Sequence, residues 1–118
     1  MKQYLNEQQT AKLIELGFEK PKGLADAEPS SGKWVRPAYS IGELIEMLPR
    51  TITDEIWWGE DKGKEGVWGL RIDTSGTEYG WDISYERDDS AYLYREGRSE
   101  LIDALYDMIV KLKEKGVI

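Results

Sequence analysis

Trp68-Gly69-Leu70-Arg71-Ile72-Asp73, followed closely by Tyr79-Gly80-Trp81-Asp82-Ile83-Ser84-Tyr85, decides how this chain folds. In each run a large apolar residue alternates with a small or charged one, the period of a strand with one dry face and one wet face. Trp68, Leu70 and Ile72 share one side of the first strand, and Tyr79, Trp81, Ile83 and Tyr85 share one side of the second. Between them Asp73-Thr74-Ser75-Gly76-Thr77 has the composition of a short hairpin loop, so the two strands pair antiparallel. Arg71, Asp73, Glu78, Asp82 and Glu86 mark the face turned to water. A preceding strand over Ile52 to Trp58 and a following one over Ala91 to Tyr94 complete a meander of three to four strands.

Helical signals flank this sheet. Glu7 to Leu16 reads as a helix with Asn6 as its N-cap, Gln9 as the capping-box partner, and Leu13 and Leu16 on one face. Gly17 stops it, and Phe18 folds back towards Leu13. A second helix runs from Ile41 to about Leu48. Ser40 caps it, Glu43 reaches back, Tyr39 staples onto Leu44, and Pro49 closes it. The last helix spans about Ser99 to Lys115, with Ser99 as a cap or turn residue. Leu101, Leu105, Met108 and Leu112 form its stripe, supported by Ile102 and Ile109. Glu100 and Asp103 near its start and Lys111, Lys113 and Lys115 near its end follow the macrodipole, and Gly116 ends it.

Between the first two helices, residues 19–33 carry Pro21, Gly23, Pro29, Ser30, Ser31 and Gly32 with Leu24 as their one large apolar side chain, the composition of a flexible surface loop. Trp34-Val35-Arg36-Pro37-Ala38-Tyr39 continues from it in extended form. Strands in the middle of the order and helices on either side give an α+β fold, with an antiparallel sheet and three helices packed mainly on one face. At 118 residues the whole chain, 1–118, is expected to be a single domain with one core.

Composition removes much familiar chemistry. The chain has no cysteine and no histidine, which excludes disulfides, thiolate ligands, thiol nucleophiles and the commonest general base. The absence of cysteine points to a reducing compartment, the cytoplasm. No apolar leader opens the sequence and no run reaches the length of a membrane span. Twenty-three acidic residues against sixteen basic ones give a net charge of −7, which disfavours nucleic acid and anionic membranes as partners.

Five tryptophans and seven tyrosines are the unusual feature. Trp68 and Trp81 lie on the inward pattern and are assigned to the core. Trp57 and Trp58 are neighbours on a strand, so one of them must leave the core side. With Trp34 they are the candidate partner-binding residues, because aromatic rings with a polar tip suit protein partners and sugars. Acidic residues gather at Asp54-Glu55, at Glu60-Asp61, and at Glu86 with Asp88-Asp89. None shows the spacing of a calcium loop, and solvated loop charge accounts for them better than catalysis does. Gly59 to Gly66 lacks the Gly-Lys-Ser/Thr ending of a phosphate loop and reads as a hairpin tip. No catalytic residue, metal ligand or cofactor site is assigned.

Trp34-Val35-Arg36-Pro37-Ala38-Tyr39-Ser40-Ile41-Gly42-Glu43-Leu44 with Leu48-Pro49, and Leu101-Ile102-Asp103-Ala104-Leu105-Tyr106, resemble a group of short uncharacterised proteins of gut anaerobic bacteria and their phages or mobile elements. The resemblance implies a bacterial setting and assigns no site residue. The expectation is an acidic, non-enzymatic accessory or protein-interaction domain, monomeric, whose partner is another protein. The alternative is a carboxylate-based enzyme or a carbohydrate-binding protein with aromatic platforms.

Overall fold

The alternating runs form the centre of a four-stranded antiparallel meander in a computed structural model that describes residues 2–26, 35–57, 59–74, 80–87 and 92–118. In chain order the elements are α1 (Glu7–Glu15), β1 (Leu24–Asp26), β2 (Val35–Pro37), α2 (Ile41–Met47), β3 (Thr51–Glu55), β4 (Glu65–Asp73), β5 (Trp81–Glu86), β6 (Tyr92–Arg98) and α3 (Leu101–Glu114). The larger sheet runs β3-β4-β5-β6, and β1 pairs with β2 in a small second sheet.

Register follows the apolar alternation. Ile52 lies opposite Trp68, Leu70 opposite Tyr85, and Ile72 opposite Ile83, so all six share the inner face. Trp68, Ile83 and Tyr85 are fully buried there, and Trp81 packs on the same core at half-burial. The Tyr85 hydroxyl donates to the Pro49 carbonyl at 2.7 Å, and burial pushes its phenol far above the ordinary range. The outer face carries Arg71, Asp73, Asp82 and Glu86, as the alternation requires; Glu78 and Tyr79 lie outside the described residues.

α3 covers the inner face with Leu101, Ile102, Ala104, Leu105, Met108, Ile109 and Leu112, all buried. Each of the six larger side chains contributes about 1.5–3 kcal/mol by leaving water, so this one contact outweighs any single polar interaction in the molecule. Leu13 of α1 and Leu44 of α2 close the same core. α1 and α3 end alike: Gly17 and Gly116 adopt positive φ, while Phe18 N–H donates to the Leu13 carbonyl and Val117 N–H to the Leu112 carbonyl.

Both N-terminal capping boxes form, Asn6 with Gln9 and Ser40 with Glu43. The Glu43 carboxylate has a second use, accepting the Lys22 and Gly23 N–H groups at 2.9 Å each and so tying the approach to β1 onto α2. At α3 the expectation needs correcting. The N-cap is Glu100, without a side-chain capping bond, and Ser99 lies one residue outside it.

Two further differences have physical causes. Residues 24–26 lie inside the stretch expected to be an irregular loop, yet they form β1, which pairs Leu24 with Pro37 and Ala25 with Arg36. Ala25 supplies a small buried contact there, too little apolar signal to register as a strand. The last strand extends to Arg98, four residues past the expected end, because its inward positions are charged. Glu96 and Arg98, opposite Ile83 and Trp81, reach α3 while Arg98 stays partly in water: Glu96 pairs with Lys111, and Arg98 with Asp107 at 2.7 Å.

Asp103 and Asp107, one turn apart on α3, titrate in opposite senses. At Asp103 burial raises the pKa, but hydrogen bonds from Gln9 and Lys2 outweigh it and hold the carboxyl below the ordinary range. At Asp107 burial prevails over the Arg98 pair and leaves the carboxyl raised. A lowered carboxyl stabilises the fold above its unfolded pKa of about 4 and loses that contribution as pH falls through the folded value. A raised one destabilises when ionised, and that loss is relieved as pH falls through the folded value. Urea midpoints should therefore show Asp103→Asn below wild type and Asp107→Asn above it at about pH 7, with both differences narrowing at about pH 3, so that acidification moves the two variants in opposite directions relative to wild type. Parallel changes in the two variants would contradict this assignment.

Candidate functional site

β3 and β4 form a hairpin whose far end reaches beyond the helices. Residue 57 and all of residues 59–65 are exposed, and the radius of gyration, 16.3 Å, exceeds the roughly 13–14 Å of a compact chain this long. The tip is nonetheless fixed. Ile56 N–H donates to the Lys64 carbonyl at 2.9 Å, Gly63 N–H to the Ile56 carbonyl at 2.8 Å, and Lys64 N–H to the Asp61 carbonyl at 3.0 Å.

Trp57 follows directly on this strand and is 65% exposed, the most exposed large apolar residue among those described. Alternation explains it. Ile52 and Ile56 point inward and are buried, so the residue after Ile56 must point out. Trp34 and Trp58 lie outside the described residues. Of the three tryptophans expected to meet a partner, the structure therefore places Trp57 on the surface. It places Trp68 and Trp81 in the core, as the inward pattern requires.

Beside Trp57 the register imposes an unfavourable contact. Glu55 on β3 is directly opposite Glu65 on β4. The Arg50 and Ile56 positions are hydrogen-bonded pairs with Leu70 and Lys64, so Glu55 and Glu65 occupy a non-hydrogen-bonded position, where opposed side chains are closest. Both are exposed, and neither carboxylate has an ion-pair partner among the described residues. Lys64 turns to Asp61 instead, at 3.4 Å. Like charges directly opposite destabilise a sheet by a fraction of a kcal/mol.

The rest of the outer face is matched. Arg71 bridges Asp73 and Glu86 at 2.9 Å each, the Ser84 hydroxyl lies 3.2 Å from Glu86, and Arg95 holds Asp82 at 2.8 Å while lying over the Tyr92 ring. Asp73 also lies directly opposite Asp82, but each of these has an arginine partner, so Glu55 and Glu65 are the opposed like charges left without a cation among the described residues. Next to them a depression of about 500 Å³ is lined by Ile56, Asp61, Lys64, Glu65, Val67 and Arg87, among others. Arg87 closes the inner face where α3 no longer reaches, its guanidinium 5.4 Å from the centre of the Trp68 ring.

Of the acidic clusters seen in the sequence, Asp61 and Glu86 line this same depression with Glu65, and each has a cation partner, Lys64 and Arg71 respectively. Asp54 accepts the Glu55 N–H at 2.7 Å, Glu86 is held by Arg71, and Asp88 and Asp89 lie outside the described residues. Among the described residues no three carboxylates are placed to hold a metal ion. A cavity of about 260 Å³ near α2 does combine Phe18 and Tyr39 with Glu19, Glu43 and Glu46. Its Glu43 is already occupied by the backbone of residues 22 and 23. Among the described residues no helix is long and apolar enough to cross a membrane.

Glu65 was not among the residues singled out from sequence, since its meaning depends on what lies across the strand. The signal was present: pairing Ile52 with Trp68 brings Glu55 opposite Glu65 without further assumption. Replacing Glu65→Lys should convert the repulsion to attraction and stabilise the protein by about 0.2–1 kcal/mol at low salt, with the gain fading in molar salt. Urea denaturation checks this, and a loss of stability in Glu65→Lys would contradict the pairing. Compared with family models, curated proteins and solved structures, the chain matches none.

Proposed function

We propose that this chain is a non-enzymatic protein-interaction domain that recognises a basic partner through the Trp57 end of the β3–β4 hairpin. The observation that carries the reading is the Glu55/Glu65 pair held beside an exposed Trp57. A lysine or arginine head inserted there relieves the repulsion between the carboxylates and can rest on the indole face. That second contact is worth about 0.5–2 kcal/mol according to how far it is desolvated. The net charge of −7 steers a basic partner towards the protein and repels acidic ones.

The site projects from the fold and has no enclosing wall, which suits a partner surface better than a small substrate that must be shut off from water. The carboxylate-enzyme and sugar-binding reading is therefore the weaker one. The resemblance to short proteins of gut anaerobes and their mobile elements implies a bacterial setting alone, and it is the acidic surface that suits an accessory domain covering a basic site on another protein.

Panning a random-peptide display library against the protein tests this reading. Selected peptides should be rich in lysine and arginine, and their binding should fall about tenfold or more with Trp57→Ala, about 1.4 kcal/mol. Binding should also weaken with added salt. Selection of neutral or acidic peptides, or of peptides indifferent to Trp57, would overturn it.

A further inference from the structure

The two edges of the four-stranded sheet differ. On β6 the inward residues Glu96 and Arg98 are tied to Lys111 and Asp107 of α3, and the pairing with β5 is broken by an irregularity between Ser84 and Glu86. Inward charges and bulges are the usual means of blunting an edge strand. β3, the other edge, has neither a proline nor a bulge, and its register with β4 is continuous from Thr51 to Glu55.

The direction of its main chain follows from the ladder. Arg50 and Ile56 bond towards β4, and the positions between them alternate, so Thr51, Thr53 and Glu55 turn their N–H and C=O groups outward. The Glu55 N–H is taken by the Asp54 carboxylate. Those of Thr51 and Thr53 enter no hydrogen bond among the described residues. Along this edge runs a groove of about 370 Å³ lined by Pro49, Thr51, Ile52, Thr53, Asp54 and Val117. The strand then leads straight to Glu55 and Trp57.

We infer that an extended, basic segment of another protein adds to the sheet as a fifth strand along β3. This rests on the reading of the Trp57 end as a partner site and specifies how that partner is held. Thr51 and Thr53 supply main-chain hydrogen bonds, and pairing stops at Glu55, whose donor Asp54 already occupies. Beyond that point the segment's cationic side chain meets Glu55, Glu65 and Trp57. The charge of the occupant follows from the edge itself. Residues 50–65 hold five carboxylates (Asp54, Glu55, Glu60, Asp61, Glu65) against three cations (Arg50, Lys62, Lys64). A second copy of this chain fits less well, since it brings a further −7 and supplies no cation to the Glu55/Glu65 pair when paired antiparallel about Thr53.

The probe is a capped hexapeptide, Lys-Val-Lys-Thr-Lys-Val, titrated into ¹⁵N-labelled protein. Binding should slow amide exchange at Thr51 and Thr53 by about tenfold or more, and methylation of alternate peptide nitrogens should weaken affinity about tenfold. Thr53→Pro removes an outward N–H without touching the ladder to β4, so it should weaken binding similarly while the urea midpoint stays near that of wild type. If Thr53→Pro fails to fold, the methylated peptide decides alone.

Peptide binding that requires Trp57 but leaves Thr51 and Thr53 exchange unchanged, or that tolerates methylation, sinks the strand addition while the partner site stands. Absence of binding at about millimolar peptide also overturns it, whatever the library selects. A dimer in sedimentation, with Thr51 and Thr53 already protected, would assign the edge to a second copy and overturn it as well.

Discussion

The apolar face of α3 laid on the inner face of the sheet is the contact on which the remaining structure depends. Seven buried side chains of the helix share one core with Trp68, Ile83 and Tyr85, and α1, α2 and β3 add Leu13, Leu44 and Ile52 to it. A sheet with one face covered has its register set by the pattern of apolar residues, since a slip of one residue would turn Trp68 and Ile83 to water. The opposition of Glu55 and Glu65 is a consequence of that register. Local chemistry alone would not select it.

The same contact makes the sheet unsymmetrical. α3 carries Asp103, Asp107 and Lys111 at intervals of four, hence along one flank, and they engage Lys2, Arg98 and Glu96 in turn. This line fastens the β6 edge to the helix. These exposed or half-exposed pairs each contribute little to stability, and their consequence lies in geometry. An edge strand whose inward residues are charged and already paired is a poor template for another chain. The β3 edge and the hairpin beyond it lie at the opposite side of the sheet, where Arg87 rather than a helix shelters Trp68.

How much of this was legible in the sequence depended on whether the signal was local. Caps and stops were: Asn6 with Gln9, Ser40 with Glu43, and Gly17 and Gly116 each act within a few residues, and each appears where the sequence places it. The two central strands were legible because one face is dry. β6 past Tyr94 was not, since Glu96 and Arg98 look solvent-facing until Lys111 and Asp107 are known to lie against them. β1 was hidden by its length and by neighbours typical of loops. For the site, an exposed tryptophan at position 57 or 58 could be deduced from alternation. Glu65 could not be read alone, because its role belongs to a pair set by strand register.

Hydrogen exchange of the unbound protein tests the central claim, that helix packing fixes one register and leaves β3 as an open edge. Slow exchange at Ile52 and Asp54, interleaved with fast exchange at Thr51 and Thr53, together with strong protection at Leu105, Met108 and Ile109, is the expected result. Uniform exchange along residues 51–54, or fast exchange through the centre of α3, would contradict the account.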